Sequence, residues 1–395
     1  MNRKPLRSYD IRERNEKLVL SLISGKNSLS QSEVVAITGL KAPTVFRIFS
    51  NLEDKQYIEP CDSGKELPEK KGRKPAYYCI KSDAHYAIGL DFWNRSASVV
   101  ITNFRRQPIY ENIINFPAEV DAAYVLNRLR TLIRSSLHAS GIPPEKLLGI
   151  GIGSPGVVDL KRGVVLYYPR IRGMVGFPIR EKLERSFGVP VHLHNNSAVI
   201  ALSEYRYGKA QNCHSLLLLL LRAGLGGSYI QDGKLFVAQD QTALEIGHMQ
   251  VGSGEKPCWC GERGCLETEL SEDSLLAELA AVSSVRELSD LTETLIDGNA
   301  GVQAILEEKG KLLSCAIRNL YMLLRPQAFL IVTRSRPLSD FLAARAEETL
   351  LRLKVADEQV KVKVNVLADE YNPIIAGRGA TDLVFDHFFQ TKHGS

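Results

Sequence analysis

Apolar residues recur every three or four positions in three short stretches near the N-terminus, the spacing of one helix face. In residues 9–24, Leu18, Val19, Leu22 and Ile23 form a stripe. Ser30-Gln31-Ser32-Glu33 has the form of a capping box, which satisfies free backbone donors reciprocally, and it opens a short helix through Thr38. Gly39 ends that helix. Pro43 suits the first turn of a third, whose Val45, Ile48, Phe49 and Leu52 share one buried face. Residues 57–60 and 76–80 then read as two strands.

From residue 84 the texture changes. Residues 86–90, 97–102 and 107–112 alternate like a strand meander, and a helix is predicted near 120–139. Three buried strands follow, each ending in glycine or small polar residues. Leu147 to Ile152 runs into Gly153-Ser154-Pro155-Gly156. Val191 to Leu193 runs into His194-Asn195-Asn196-Ser197. Leu216 to Leu221 runs into Ala223-Gly224-Leu225-Gly226-Gly227-Ser228. Such ends lie at the carboxyl edge of an open α/β sheet, where ligands bind. Late helices are predicted at about 271–280, 301–325 and 372–389, packed outside the sheets. One strand meander per lobe is expected, although no internal repeat shows in the sequence.

Helix, glycine turn, helix is the helix-turn-helix arrangement, with the second helix entering a major groove. That helix offers Lys41, Thr44, Phe46, Arg47 and Asn51 to base edges and phosphates. Between the two strands runs Lys70-Lys71-Gly72-Arg73-Lys74-Pro75, whose Arg73 and Lys74 suit a minor groove. The pair of strands reads as a wing. A small protein-interaction domain with a basic loop is the alternative for the same pattern.

Charge favours the first reading. The net charge is +5, but residues 1–82 hold 16 Lys and Arg against 10 Asp and Glu, while the remainder is nearly neutral. A polyanion would therefore meet the first fifth of the chain. At 395 residues two or three domains are expected. The longest apolar run, Leu216 to Leu221, is far too short to span a membrane. Seven cysteines, odd in number and mostly scattered, argue against a disulfide scaffold and for a reducing, cytoplasmic setting.

Three of those cysteines fall together. Glu245-Ile246-Gly247-His248 precedes Cys258-Trp259-Cys260-Gly261 and Gly264-Cys265-Leu266-Glu267. Thiolates with an imidazole are the ligand set of a tetrahedral Zn²⁺ site. The flanking carboxylates, Glu245 and Glu267, would then be aimed into one pocket for a hydroxyl-rich small molecule. Buried cysteines without a metal, or a redox pair, are the competing readings.

These motifs resemble the ROK family of repressors, open reading frames and sugar kinases. Gly151 to Gly156, Phe187-Gly188-Val189-Pro190-Val191 and Asn372-Pro373-Ile374 also match its pattern. The resemblance runs from Tyr9 to about Phe389, and the head looks like that of NagC/XylR-type repressors. It implies an α/β protein: a winged helix-turn-helix over 1–82, then an actin-like, ribonuclease-H-like, two-lobed sugar-kinase-type domain over 83–395. The lobes would be about 83–195 with 372–395, and 196–371. It implies zinc on His248, Cys258, Cys260 and Cys265, and sugar hydroxyls on Asn195, Asn196, Glu245, His248 and Glu267.

The departures from the kinases point away from catalysis. Their Asp-x-Gly-Gly-Thr phosphate loop is here Asp91-Phe92-Trp93-Asn94-Arg95. Their Asn-Asp pair is Asn195-Asn196, and an amide cannot act as the general base. A late Gly-Gly is replaced by Thr333-Arg334. A second phosphate loop survives as residues 223–227, read as a structural turn. Arg170 replaces the family's usual Asn and is a candidate partner for a charged effector. The expectation is a non-enzymatic transcriptional repressor of carbohydrate genes, binding double-stranded operator DNA as a homodimer or homotetramer and sensing a sugar or sugar derivative. A kinase with a regulatory head, or a repressor controlled by a protein partner, are the alternatives.

Overall fold

The structure is a computed structural model and describes residues 8–62, 75–240, 242–251, 255–353 and 364–390. The head comprises α1 (Ser8–Lys26), β1 (Leu29–Ser30), α2 (Gln31–Thr38), α3 (Ala42–Asp54), β2 (Ile58–Cys61) and β3 (Tyr77–Ile80). The capping box forms as the sequence predicts: Ser30 receives the Glu33 amide and Glu33 receives that of Ser30. Gly39 closes α2 at φ 68°, a left-handed conformation that glycine adopts without steric cost. The wing strands pair in register, Ile58 opposite Ile80 and Cys61 opposite Tyr77. Strand β1, at two residues too short to leave a pattern in the sequence, completes a sheet in the order β1-β3-β2.

The first lobe holds β4 (Tyr86–Phe92), β5 (Ser96–Asn103), β6 (Pro108–Asn115), α4 (Ala122–Ser140), β7 (Leu147–Ser154), a hairpin of β8 (Val157–Asp159) and β9 (Val164–Tyr167), α5 (Ile179–Phe187) and β10 (Val191–Asn195). Then comes α6 (Asn196–Tyr207). The second lobe holds β11 (Ser215–Leu221), β12 (Leu225–Gln231), β13 (Lys234–Leu235), α7 (Leu266–Leu270), α8 (Glu272–Leu279), α9 (Glu293–Gly298), α10 (Ala300–Leu324), β14 (Ala328–Thr333), α11 (Arg336–Leu351) and β15 (Asn365–Glu370). The chain returns in α12 (Pro373–Phe389).

The two large sheets run β6-β5-β4-β7-β10 and β13-β12-β11-β14-β15. Each is an antiparallel meander of three strands extended by two parallel ones. One topology is thus used twice. Helix α12 lies on the first sheet, α6 on the second, and the two helices pack on each other between them. The approach is close enough to require glycine. A Cβ on Gly151 would sit 1.7 Å from the Ala380 carbonyl oxygen, and one on Gly379 would sit 1.7 Å from that of Val199.

The head does not own a separate core. Val19, Ile23, Val45, Phe49 and Leu52 belong to one apolar cluster with Phe104, Val384, Phe385 and Phe389 of the body. Phe104 stacks on Phe389 at 5.7 Å, and Tyr57 meets Phe388 edge-on at 6.2 Å. No helix among the described residues is long and apolar enough to cross a membrane.

Candidate functional site

The cysteine-rich segment folds as a knuckle. The Cys258 amide donates to the Glu262 carbonyl at 2.8 Å, and the Gly264 amide to that of Lys256 at 3.0 Å. Gly261 and Gly264 take φ of 96° and 71°, which turn the chain tightly enough to gather the thiols. The sulfurs of Cys258, Cys260 and Cys265 and a ring nitrogen of His248 all lie within 4.8 Å of one another. His248 Nδ1 is 3.4 Å from Cys258 Sγ, and the Cys260 and Cys265 sulfurs are 3.6 Å apart. A tetrahedral zinc with Zn–S bonds of about 2.3 Å needs sulfurs about 3.8 Å apart, so the donors fit a metal in composition and spacing. All three thiols are free. Burial and the neighbouring thiols push Cys265 up to about 12, a crowding that a central cation would relieve.

Beside the knuckle lies a cavity of ≈ 340 Å³ between the lobes. That is the small end of the range for ligand pockets, suited to a single sugar unit. All six predicted effector residues line it: Asn195, Asn196, Glu245, His248, Glu267 and Arg170. Asn195 ends β10 and caps α6, accepting the Ala198 amide at 3.1 Å. Asn196 donates to Asp91 and to the Phe92 carbonyl. Glu267, in the first turn of α7, accepts the Leu225 amide at 3.1 Å and the Trp259 indole N–H at 2.8 Å. Glu245 opens onto the cleft. Desolvation between the cleft walls, and then the charges of Glu267 and Asp240, push its carboxyl up to about 7. Arg170 is already engaged, donating to Asp273 at 2.6 Å and to the Ala223 carbonyl at 2.7 Å. It ties the lobes together at the cavity wall.

Sequence reasoning missed Tyr167, Trp259 and Arg222, which also line the cavity. A tryptophan between two candidate metal ligands was the available signal for one of them. Arg222 gave none, because its neighbours come from distant segments.

At the position that the family resemblance gives to a phosphate loop, side chains pack together. Trp93 is 6% exposed, and its indole N–H donates to Ser96 Oγ at 2.6 Å. The guanidinium groups of Arg222, Arg334 and Arg95 lie 4.4, 5.4 and 5.6 Å from its ring centre. Arg334 is held by Glu272 at 2.8 Å, and Thr333 is buried. Asp91 is buried beneath them, accepting from Tyr371 at 2.7 Å. Burial pushes Asp91 upward; Arg222, Tyr371 and Asn196 pull the other way. Residues 223–227 are a tight hairpin rather than a separate loop, with Leu221 opposite Leu225 and Gly226 and Gly227 inside β12. A Cβ on Gly227 would strike Ile246 at 2.3 Å, so packing explains that glycine.

The head carries the nucleic-acid candidates. On α3, Phe46 is 64% exposed, and Lys41 and Arg47 are open to solvent. Thr44 is half-buried. Asn51 is tied inward, donating to Glu16 Oε1 at 3.1 Å, while Lys55 reaches Glu16 Oε2 at 2.6 Å. Burial opposes the charge of Glu16, but Lys55, Arg12 and Asn51 overcome it and hold its carboxyl below the ordinary range. Arg73 and Lys74 lie outside the described residues.

Known proteins are similar to this chain in sequence and in fold. The chain is 24% identical to the xylose repressor of Caldicellulosiruptor bescii, over 93% of this chain and 94% of that protein. It is 24% identical to the Escherichia coli DNA-binding transcriptional repressor Mlc, over 71% of this chain and 68% of that protein. In fold it is similar to a crystal structure of a ROK family transcriptional regulator, a homolog of E. coli Mlc, with TM-score 0.80 and 20% identity over 96% of this chain and 98% of that one. A ROK family glucokinase from Streptomyces griseus, solved with glucose and AMPPNP, gives TM-score 0.63 and 23% identity over 76% of this chain and 99% of that one. The ROK family profile matches residues 87–385, taking in both lobes, the knuckle and most of α12: the chain belongs to the ROK family.

Proposed function

We propose that this chain is a DNA-binding transcriptional repressor of carbohydrate-metabolism genes, whose two-lobed body senses a sugar or sugar derivative without phosphorylating it. The observation that carries this reading is the filled cradle: Trp93 and three arginines occupy the phosphate end of the cleft, and Asn196 stands where a base is needed. Glu245, Glu267, His248, Asn195 and Asn196 hold the sugar hydroxyls, because carboxylates and amides pair well with vicinal hydroxyls. Zinc on His248, Cys258, Cys260 and Cys265 is structural, since four protein ligands leave no position open for water.

The route from ligand to DNA is short. Asn195 and Asn196 begin α6 at the cleft. At the other end of α6, Arg206 pairs with Asp386 at 2.8 Å and Asp382 at 3.0 Å on α12. Helix α12 supplies Phe385 and Phe389 to the core of the head. Ligand contacts that favour one lobe arrangement thereby favour one placement of the head. Lys41, Thr44, Phe46 and Arg47 read the major groove, Arg73 and Lys74 the minor groove, and a homodimer or homotetramer places two heads on paired half-sites.

The test is a selection of duplexes bound by the full-length chain, followed by binding of the selected duplex with and without sugars. A specific duplex whose affinity changes with one sugar supports the reading. Sugar phosphorylation from ATP by the purified chain, or failure to select any duplex, overturns it.

A further inference from the structure

We propose that Arg222 is a specificity-determining residue of the cleft, and that the effector is an anionic sugar derivative whose carboxylate or phosphate faces it. The inference rests on the reading of the cleft as a sugar site and narrows the ligand class. Arg222 follows β11, lines the cavity and is 5% exposed. Its Nη1 is buried and has no hydrogen-bond partner. Its guanidinium packs on the rings of Trp93 at 4.4 Å and Tyr371 at 4.1 Å, which fix its plane without taking its N–H groups. The nearest carboxylate, Asp91, stands 3.8 Å away and is already engaged by Tyr371 and Asn196.

The charges around Trp93 leave Arg222 under-satisfied. Glu272, also buried, is taken by Arg334 at 2.8 Å and approached by Arg95 at 4.0 Å. Arg334 has a second carboxylate in Glu287, at 3.7 Å, whereas the ion pair within reach of Arg222 is the long one to Asp91. A buried charge without acceptors is costly, and a ligand oxyanion would supply them, in the paired geometry that arginine favours. Arg170, the arginine that the sequence singles out, already donates to Asp273 and to the Ala223 carbonyl.

The cleft is also polar in the electrical sense. Glu245, Glu267 and His248 line the knuckle side, whereas Arg222 sits among Trp93, Asp91 and Tyr371. An anion is repelled from the first side and drawn to the second. Hydroxyls therefore face the knuckle, and the charged substituent lies beyond Asn196.

The experiment is titration calorimetry of the full-length, metal-loaded chain with glucose, mannose, galactose and N-acetylglucosamine, each set against its 6-phosphate and, for the three hexoses, its uronic acid. The acid and phosphate arms separate the two sources of charge. The expected result is one set in which an anion binds at least about ten-fold tighter than the neutral sugar. Arg222→Met should abolish that ratio and Arg222→Lys should keep part of it, with metal content and melting temperature reporting that both variants fold. A neutral sugar binding as tightly as its anions, or a preference that survives Arg222→Met, overturns the inference and leaves the sugar-sensor reading standing. Absence of binding across the whole panel overturns both.

Discussion

Trp259 stacks on Tyr167, their ring centres 4.4 Å apart and their planes 22° from parallel. The two residues belong to opposite lobes, and both line the cleft. Trp259 also donates to Glu267, one of the proposed hydroxyl acceptors. The knuckle is thus a clasp as well as a brace. Trp259→Ala should weaken sugar affinity by about two- to ten-fold, one aromatic contact being worth about 0.5–1.5 kcal/mol. Calorimetry with the identified effector checks this; an unchanged affinity would show that the stack is incidental.

Cys260 is the exposed member of the donor set. Cys260→Ser should reduce bound zinc from about one per chain and lower the melting temperature, with chelator reproducing both effects on the wild-type chain. Elemental analysis beside a thermal melt measures them. Full zinc content in the variant would remove Cys260 from the ligand set.

On α3, Phe46→Ala and Arg47→Ala should each cost about 1–3 kcal/mol of specific DNA affinity with little change in stability. Asn51→Ala should do the opposite. Its amide serves Glu16 rather than solvent, so the change should lower stability and leave base preference intact. Fluorescence anisotropy on matched and mismatched duplexes separates the cases.

Asn196→Asp restores a carboxylate at the base position but should not restore sugar phosphorylation. The new acid would face Asp91, a like-charge neighbour, and Trp93 and Arg222 would still fill the cradle. A coupled assay for ADP release is the check. Turnover in that variant would mean that the cradle opens.

His194, beneath Asn195, is pushed down to about 4 by burial. Its Nδ1 accepts the Asn195 amide at 2.9 Å, a role that requires an unprotonated nitrogen. An unfolded histidine takes up a proton near about pH 6.5, so on acidification the unfolded chain binds protons that the folded chain refuses. Stability is therefore full above about pH 6.5 and falls as pH drops toward 4. His192, also lowered to about 4 by burial and then by His387 and Arg180, adds to the same slope. Melting temperatures across this range should fall less steeply in His194→Asn.

Much of this architecture is legible from local chemistry. Ser30, Glu33 and Gly39 announce α2 because caps act within a few residues, and the knuckle is readable because its four donors are close in sequence. What escaped is long-range or masked. Gly226 and Gly227 resemble a loop, yet they lie in β12, where Ser197 and Ile246 leave little room for a side chain. Helix α11 buries Leu338, Leu342 and Leu350 but also Ala343 and Ala346, whose small side chains blur the periodic signal. Arg222 and Trp93 lie far apart in sequence, so no spacing foretells that contact. Arg170 drew notice as a departure from the family pattern, but a local anomaly says nothing about what its side chain finds to bond.

The shared aromatic cluster has an implication for synthesis. The interior of the head stays incomplete until Phe385 and Phe389, far downstream of it, have been made. A partly made chain therefore has no finished hand with which to grip the genome, and any truncation that removes α12 should silence the head even though every residue proposed to touch DNA remains.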